Sequence, residues 1–194
     1  MQIDTASDPR TRARILAQGE LMASSLAAAW LGAAGLDVGW RDARSLLVSD
    51  EQPDQRGARR FLAATCRFEP DPRLAKILSA SGTTVTVTQG CVAASPAGET
   101  VLLGREGSDT SAAYLAAHLG AQRVEIWTDV PGMFTADPKQ VPSARLLVAL
   151  HYDEARELAA TGSRVLHPRC LAPLEAHGIP CSSAASAVRI STVR

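Results

Sequence analysis

The sequence lacks the features that define several broad classes of protein. Basic and acidic residues number 20 each, so the formal net charge is zero and no overall field attracts nucleic acid or an anionic membrane. No apolar run is long enough to cross a bilayer, and the polar, charged N-terminus does not resemble a signal sequence. We therefore expect a soluble, cytoplasmic protein with no nucleic-acid or membrane partner, in which any anion site is local.

Cysteine and histidine are scarce and widely spaced. The four cysteines show neither close pairing nor metal-ligand spacing, which favours buried thiols in a reducing compartment; they are Cys66, Cys91, Cys170 and Cys181. The four histidines have no carboxylate or cysteine partner at catalytic spacing; they are His118, His151, His167 and His177. We predict no protein metal site.

A glycine-containing turn between a strand and a helix is the main candidate for a ligand site. Apolar residues 101–103 predict the end of a buried strand, and Ser108 is a candidate N-cap for a helix that ends at Leu119. Arg105 and the helix N-terminus would then attract an anion, while Asp109 could accept a hydrogen bond from an ammonium group. The turn thus offers partners for both ends of a zwitterionic amino acid, although a capped helix with two solvated charges explains these residues equally well.

A second polar loop follows another predicted strand. Residues 124–127 alternate as a strand does, and the loop that follows, 128–139, contains two prolines and a glycine. A strand that runs into such a loop delivers it to the carboxyl edge of a sheet, where open α/β folds bind ligands. The two stretches together are more specific than either one alone.

These motifs resemble those of the aspartate kinases in the amino-acid kinase family. The family's arginine-glycine-glycine-serine-aspartate turn is similar to Arg105–Asp109, and its tryptophan-threonine-aspartate loop is similar to Trp127–Pro138. Two further matches are Gly19–Met22 and Gly162–Pro168, in the family's order. The resemblance extends from about residue 18 to about residue 182.

The resemblance implies a three-layer α/β/α sandwich with a mostly parallel sheet, and the alternation of strands with helices favours such an α/β fold independently. Residues 1–194 are expected to form one partial kinase domain, with a poorly defined start at 1–17, a family-like region at 18–182 and a tail at 183–194. A homodimer is also implied.

The chemistry implied is transfer of the γ-phosphoryl group of ATP to the side-chain carboxylate of L-aspartate, which belongs to lysine, threonine and methionine biosynthesis. A carboxylate nucleophile is already ionised at neutral pH, so alignment and charge neutralisation are the main requirements. Mg²⁺ is expected with the ATP phosphates, mostly retaining water ligands.

The resemblance also implies roles for particular residues. Arg105 and Asp109 are the expected catalytic pair, with Arg105 on the aspartate α-carboxylate and Asp109 favouring its ammonium group. Ser108 would lie alongside, and Glu20, at the start of a helix, would face the substrate's amino group. The expected nucleotide-binding residues are Thr128, Asp129, Phe134, Lys139 and Arg164.

The chain departs from the family pattern at several positions. Glu106 replaces a glycine and adds a negative charge beside the substrate carboxylate, Phe134 replaces a tyrosine, and Arg164 replaces a lysine whose compact ammonium it does not reproduce. Gly90–Ala93 retains only part of the family's glycine-phenylalanine-x-glycine turn.

The family's lysine-phenylalanine-glycine-glycine-threonine-serine segment and its small regulatory repeats do not occur in the chain. We therefore expect a piece of a larger, possibly bifunctional enzyme, inactive alone. The alternative is a non-catalytic nucleotide- or amino-acid-binding module of the same fold, favoured by Glu106 and by the missing segment.

The local patterns predict most helices and strands. Helices are expected at Glu20–Ala34, from Pro72, and at Ser108–Leu119, Tyr152–Ala160 and Pro168–Ala176. Strands are expected at Val38–Trp40, Leu46–Val48, Thr83–Thr88, Val92–Ala94, Thr100–Leu103, Val124–Trp127 and Ile179–Ser182. Leu146–Leu150 is predicted as a strand or core segment, Ser49–Arg60 as a loop, and Leu74, Ile77 and Leu78 as core residues.

Overall fold

The computed structural model describes residues 8–50, 57–127, 134–136, 140–147, 149–160, 168–183 and 188–190. The chain divides into two compact units, Met1–Ser111 and Ala112–Arg194. The helices are α1 Pro9–Ala33, α2 Ala58–Leu62, α3 Pro72–Ser79, α4 Gly107–Leu119, α5 Tyr152–Ala160 and α6 Pro168–Ala176. The strands are β1 Val38–Trp40, β2 Val85–Val87, β3 Val92–Ala94, β4 Thr100–Leu102, β5 Val124–Ile126, β6 Ala149–Leu150, β7 Cys181–Ser183 and β8 Val188–Ile190.

Helix α1 is longer than the sequence predicts. It begins at Pro9 rather than at Glu20, because Asp8 caps it: the Asp8 carboxylate accepts a hydrogen bond from the Thr11 N–H at 3.3 Å. Its buried face is made of small residues, Ala13, Ala17, Ser24 and Ala28. Glu20 therefore lies in the middle of α1, and the prediction that it starts the helix is wrong.

The first unit contains two short sheets. β1 and β2 pair in parallel, with Trp40 opposite Val87. β3 and β4 form the predicted antiparallel hairpin, with Val92 opposite Leu102, and the turn closes when the Gly98 N–H donates to the Ser95 carbonyl at 2.8 Å. Strand β2 covers only residues 85–87, so the predicted strand 83–88 is confirmed in its central part.

Three local predictions for this unit are wrong. Residues 46–48 are not assigned as a strand: they follow a 3₁₀ helix at Ala43–Ser45, and of the three only Val48 makes a parallel bridge, to Ala94 of β3. The end of the predicted loop 49–60 is helical, since α2 starts at Ala58. Helix α3 buries Leu74 as expected but leaves Ile77 42% exposed.

The second unit contains a four-stranded sheet with the order β5-β7-β8-β6. The β5–β7 and β6–β8 pairs are parallel, and the β7–β8 pair is antiparallel. Helices α5 and α6 match their predictions. Strand β8 lies in the stretch that was expected to be a tail, and only residues 149 and 150 of the predicted segment 146–150 are assigned to a strand.

Each unit has its own apolar core. The first unit buries Ala13, Ala17, Ala43, Val92 and Leu102 together. The core of the second unit is built around the sheet and helices α5 and α6, and it includes Tyr152, Leu171, Leu174 and Cys181. Within the described ranges, no helix is both long and apolar enough to span a membrane.

Candidate functional site

Helix α1 runs antiparallel to β1, and this direction fixes where Glu20 lies. A Cβ at Gly32 would be 3.5 Å from Val38 Cγ1, near the start of the strand. At the other end of the strand, the Trp40 indole N–H donates to Ser24 Oγ at 3.0 Å. Glu20 is one helical turn, about 6 Å, before Ser24. It is therefore exposed beyond the carboxyl end of β1, on the side of the sheet where α/β folds bind ligands.

Gln89 connects α1 to the carboxyl end of β2. Its side chain is 1% exposed, its amide nitrogen donates to Ser24 Oγ at 2.8 Å, and its amide oxygen accepts from the Ala43 N–H at 2.7 Å. Both functional groups of the amide are thus satisfied by different elements. The residue that follows, Gly90, is held at the same edge as Glu20.

Two polar atoms at this edge lack hydrogen-bond partners among the described residues. They are Arg41 Nε and Thr88 Oγ1, both buried, and they belong to the residues that directly follow β1 and β2. Buried polar groups are normally paired. Buried polar groups at the carboxyl edge of β1 and β2 are therefore less completely hydrogen-bonded within the chain than those elsewhere in the described core.

The turn after β2 is interlocked with the turn before α4. A Cβ at Gly90 would lie 2.4 Å from Ser108 Oγ and 2.9 Å from Ser108 Cα. In the reverse direction, a Cβ at Gly107 would lie 2.5 Å from Cys91 Sγ. Neither position can hold a side chain without a shift of the opposite turn. The two glycines therefore allow a backbone contact that no larger residue would allow.

Hydrogen bonds fasten this contact. The Cys91 N–H donates to Ser111 Oγ at 2.8 Å, and the Ser111 hydroxyl donates to the Gly107 carbonyl at 2.8 Å. The Leu103 N–H donates to the Cys91 carbonyl at 2.9 Å, and the Cys91 thiol donates to the Gly104 carbonyl at 3.4 Å. Sequence reasoning noticed the altered Gly90–Ala93 turn but missed that Cys91 and Ser111 position the site.

Helix α4 begins one residue earlier than predicted. Because its first residue is Gly107, Ser108 lies within the first turn and is not the N-cap. Glu106 precedes the helix with φ 52°, and its carbonyl accepts from the Thr110 N–H at 3.3 Å and hydroxyl at 3.2 Å. The N–H groups of the first turn lack intrahelical partners, as at every helix start, and they give this end its partial positive charge.

Arg105 and Asp109 flank this helix start. Arg105 is exposed and makes no hydrogen bond or ion pair with any residue in the described part of the chain. Asp109 is partly buried in the first turn of α4. A cation that is not committed elsewhere and a carboxylate are thus presented four residues apart on one turn. The arrangement suits a ligand that carries charges of both signs.

The nucleotide loop is described only in part. β5 leads to Trp127, which is 78% exposed, and Phe134 is half-buried in an isolated antiparallel bridge with Leu146. The adjacent Thr135 N–H donates to the Arg145 carbonyl at 2.9 Å. The other expected nucleotide-binding residues lie outside the described residues: Thr128, Asp129, Lys139 and Arg164.

The described residues contain no group of three or more histidine, cysteine, aspartate or glutamate side chains that could hold a metal ion. All four cysteines are described, and none forms a disulfide. Three of the thiols are buried, while that of Cys91 is partly exposed beside the interlocked turns.

The parallel pair β1–β2, with the turn before α4 packed against the residues that follow β2, is typical of an α/β protein and makes this edge a candidate small-molecule site. The chain belongs to the amino acid kinase family, whose model matches residues 2–182.

The relatives are aspartokinases. The chain is 40% identical over 170 residues to the bifunctional aspartokinase/homoserine dehydrogenase of Haemophilus influenzae, which covers 88% of this chain and 20% of that protein. It is 35% identical over 180 residues to the lysine-sensitive aspartokinase 3 of Escherichia coli, with 90% and 38% covered. It thus spans about a fifth to two fifths of the length of these relatives.

A solved structure gives the same result. The crystal structure of E. coli aspartokinase III in complex with aspartate and ADP (R-state) matches with a TM-score of 0.82 and 31% identity, covering 98% of this chain and 42% of that one. The predicted aspartate-kinase resemblance and the α/β fold class are therefore confirmed.

Proposed function

We propose that this chain is the aspartate- and ATP-handling part of an aspartate kinase, which transfers the γ-phosphoryl group of ATP to the side-chain carboxylate of L-aspartate and gives 4-phospho-L-aspartate. The observation that carries the proposal is the interlocked turn, which holds Arg105 uncommitted at the start of α4. Membership of the family and the aspartokinase relatives supply the reaction class.

Recognition of the amino acid uses opposite charges at two ends. Arg105 binds the α-carboxylate, because a guanidinium offers two parallel N–H groups to a carboxylate. Ser108 and the first N–H groups of α4 lie beside it, and Asp109 and Glu20 face the ammonium group. Since Arg105 and Asp109 touch the substrate in this proposal, they are its catalytic residues.

The phosphoryl transfer needs no general base in this arrangement. The attacking side-chain carboxylate is already ionised near neutral pH, so the protein must align it with the γ-phosphorus and offset the negative charge that accumulates. Cationic side chains and backbone N–H groups are suited to that task.

The nucleotide is assigned to the second polar loop, 128–139, together with Arg164 from the Gly162–Pro168 stretch. Thr128, Asp129, Phe134, Lys139 and Arg164 are proposed to hold ATP, with Phe134 supplying stacking surface in place of a tyrosine. Mg²⁺ would accompany the phosphates and keep mostly water ligands. A cytoplasmic homodimer that serves lysine, threonine and methionine biosynthesis completes the proposal.

A second candidate is a non-catalytic amino-acid-binding or nucleotide-binding module of the same fold. Glu106 favours it, because this carboxylate precedes α4 directly and follows Arg105. A negative charge there opposes the binding of a substrate carboxylate. It does not oppose the binding of a cationic or neutral ligand.

Acyl phosphate formation separates the two candidates. Hydroxylamine traps an acyl phosphate as a hydroxamate, so the chain, and any longer protein that contains it, would be incubated with Mg-ATP and L-aspartate. Hydroxamate formation that depends on both substrates is expected from the longer protein. If that protein forms none, the non-catalytic module is the correct reading.

Ligand binding tests the assignment of Arg105. Arg105→Ala should weaken L-aspartate binding by about 10- to 100-fold, the worth of hydrogen bonds to a charged group, and leave ATP binding within about twofold. Arg67→Ala is the matched control, since Arg67 is an exposed arginine of the same unit in a surface ion pair with Asp50. Equal losses for both ligands, measured calorimetrically, would contradict the assignment.

A further inference from the structure

Arg41 carries a charge that no residue in the described part of the chain offsets. The residue is partly buried, and its Nε is one of the buried polar atoms without a hydrogen-bond partner there. Arginine keeps its proton in proteins, so burial cannot neutralise it, and a buried charge needs a partner. The adjacent carboxylate is already engaged, because Asp42 accepts hydrogen bonds from Arg44 Nε at 2.9 and 3.1 Å. Arg41 therefore requires an acceptor from elsewhere.

Thr88 presents a second unpaired polar group beside Arg41. The parallel register places Trp40 opposite Val87, and the Arg41 N–H continues the ladder by donating to the Val87 carbonyl at 2.9 Å. Arg41 and Thr88 are thus the next opposing pair, about 4.8 Å apart across the two strands. Thr88 Oγ1 is likewise buried with no hydrogen-bond partner among the described residues.

Both side chains lie on the face of the strand pair that is opposite helix α1. Successive side chains along a strand alternate between its two faces. Trp40 and Gln89 both reach Ser24 of α1, with hydrogen bonds of 3.0 and 2.8 Å. Their chain neighbours Arg41 and Thr88 therefore point away from α1.

The start of helix α4 lies on this same face. Gly90 is two residues after Thr88 and faces the same way, and the Cβ that it lacks would lie 2.4 Å from Ser108 Oγ. Two residues of extended chain span about 6.6 Å. Arg41 and Thr88 are thus close to the turn that presents Arg105. This edge offers one small volume two guanidinium groups that no described residue binds.

We propose that Arg41 and Thr88 bind the side-chain carboxylate of the amino-acid substrate and so determine the preference for aspartate. The inference rests on the proposed function, in which Arg105 binds the α-carboxylate while Asp109 and Glu20 face the ammonium group. Those assignments leave the third charged group of L-aspartate without a protein partner. Arg41 supplies the missing cation, and the Thr88 hydroxyl supplies a second donor to the same group.

The same contact aligns the reacting atoms. Arg41 and Thr88 donate to one oxygen of the side-chain carboxylate, and the other oxygen attacks the γ-phosphorus of ATP. The new oxygen–phosphorus bond forms as the bond to the β–γ bridging oxygen breaks, and ADP leaves with that oxygen. Offsetting the carboxylate charge lowers the repulsion between this nucleophile and the anionic phosphates.

Other occupants fit the two groups less well. A water molecule could accept the same hydrogen bonds but would leave the guanidinium charge without a counter-charge. A phosphate oxygen of ATP has the same chemistry as a carboxylate oxygen. The closeness of Gly90 to Ser108 favours the carboxylate, because the two carboxylates of L-aspartate are only two carbon atoms apart and both must reach a cation.

Calorimetric binding of L-aspartate and L-asparagine tests the assignment, on the chain and on any longer protein that contains it. L-Asparagine keeps the α-carboxylate and the ammonium group but has no side-chain charge. Arg41→Met should weaken L-aspartate binding about 10- to 100-fold and leave L-asparagine and ATP binding within about twofold. Arg105→Ala should weaken both amino acids, because both retain the α-carboxylate.

Matched substitutions control for charge and shape. Arg67→Met removes the same charge from an exposed surface ion pair with Asp50 and should leave the binding of both amino acids unchanged. Thr88→Val should weaken L-aspartate binding about fivefold, whereas Thr86→Val, on the same strand but farther from its carboxyl end, should have no effect. The urea midpoint of Arg41→Met should equal or exceed that of the parent, because the variant removes a buried charge without a partner.

Three results would overturn the inference. The first is unchanged discrimination between L-aspartate and L-asparagine in Arg41→Met; if Arg105→Ala still weakens both ligands, the proposed function stands without it. The second is a loss of ATP binding in place of L-aspartate binding, which would assign the two groups to a phosphate. The third is a lower urea midpoint for Arg41→Met, which would show that the guanidinium has a stabilising partner within the protein. If even the longer protein binds no L-aspartate, the proposed function and this inference fail together.

Discussion

At the scale of single residues, Glu106 combines backbone strain with an opposing charge. Its φ of 52° lies in the left-handed region, which costs an L-residue other than glycine about 1 kcal/mol. The family pattern has glycine at this position, and the observed dihedral supplies the physical reason. Glu106 therefore affects the fold through its Cβ and the candidate site through its carboxylate.

These two effects can be separated by two substitutions. Glu106→Gly relieves the strain, so the free energy of unfolding measured in urea should rise by about 0.5–1 kcal/mol. Glu106→Ala keeps the Cβ and should give no such gain. Both remove the charge, so both should strengthen L-aspartate binding if Arg105 binds the carboxylate. Equal stability changes in the two variants would show that φ is not the cause.

At the scale of elements, the site depends on how closely two turns approach. Gly90→Ala would put a Cβ 2.9 Å from Ser108 Cα, and backbone must move to admit it. We expect a loss of about 1–3 kcal/mol in unfolding free energy, together with weaker aspartate binding because the start of α4 is displaced.

Gly19→Ala is the matched control for that substitution. A Cβ at Gly19 would meet nothing within 4 Å, and alanine is favoured over glycine inside a helix by about 1 kcal/mol. The control should therefore be stabilised while Gly90→Ala is destabilised, as measured by urea unfolding midpoints. A Gly90→Ala protein with unchanged stability and binding would show that the turn after β2 and the start of α4 can move apart at little cost in free energy.

Elements with strong local signals followed from the sequence. Helix α3 has Asp71 as cap and Pro72 as first residue, and the β3–β4 hairpin has its Ser95–Gly98 turn. The start of α1 was missed because the residues it buries there, Ala13 and Ala17, are too small to give an apolar periodicity.

Tertiary contacts explain the other misses. Residues 46–48 look like a strand because two leucines are adjacent. Both leucines are buried, but they directly follow a 3₁₀ helix, and only a single bridge, from Val48 to Ala94, forms there. In the site, Arg105 and Asp109 were found from their motif. The packing of Gly90 on Ser108 could not be found, because it joins turns that are apart in sequence and depends on the shape of both.

At the scale of the whole molecule, the chain has two compact units with separate apolar cores. In the second unit, the Tyr152 hydroxyl donates to the Ile179 carbonyl, and the side chain is 2% exposed. Burial raises the pKa of Tyr152 well above its ordinary value, with the nearby Cys181 thiol adding to the effect. The folded chain therefore keeps this proton when the unfolded chain releases it.

Because the pKa of Tyr152 is raised in the folded chain, the free energy of unfolding should fall at high pH. The stabilising effect of the neutral phenol is complete below the unfolded-state pKa of about 10 and declines as pH rises beyond it, because the unfolded state then binds fewer protons. Between pH 8 and pH 11 the parent chain should lose about 1 kcal/mol more unfolding free energy than Tyr152→Phe. At pH 8 the variant should be about 1 kcal/mol less stable, because the Ile179 carbonyl loses its donor. Parallel pH profiles in urea unfolding would contradict this account.

The two hydrogen bonds of the Gln89 amide limit which amino acids can replace this residue. Its amide nitrogen donates to Ser24 on helix α1, and its amide oxygen accepts from the backbone N–H of Ala43. A side chain that can only donate or only accept hydrogen bonds therefore cannot replace it. Leucine would fill the same volume but leave the buried Ala43 N–H without an acceptor. Glutamate would still accept from Ala43, but its second carboxylate oxygen would face Ser24 Oγ, which already accepts a hydrogen bond from Trp40. A conservative replacement can thus misalign Glu20 with Gly90, whereas the exposed loops are free to diverge.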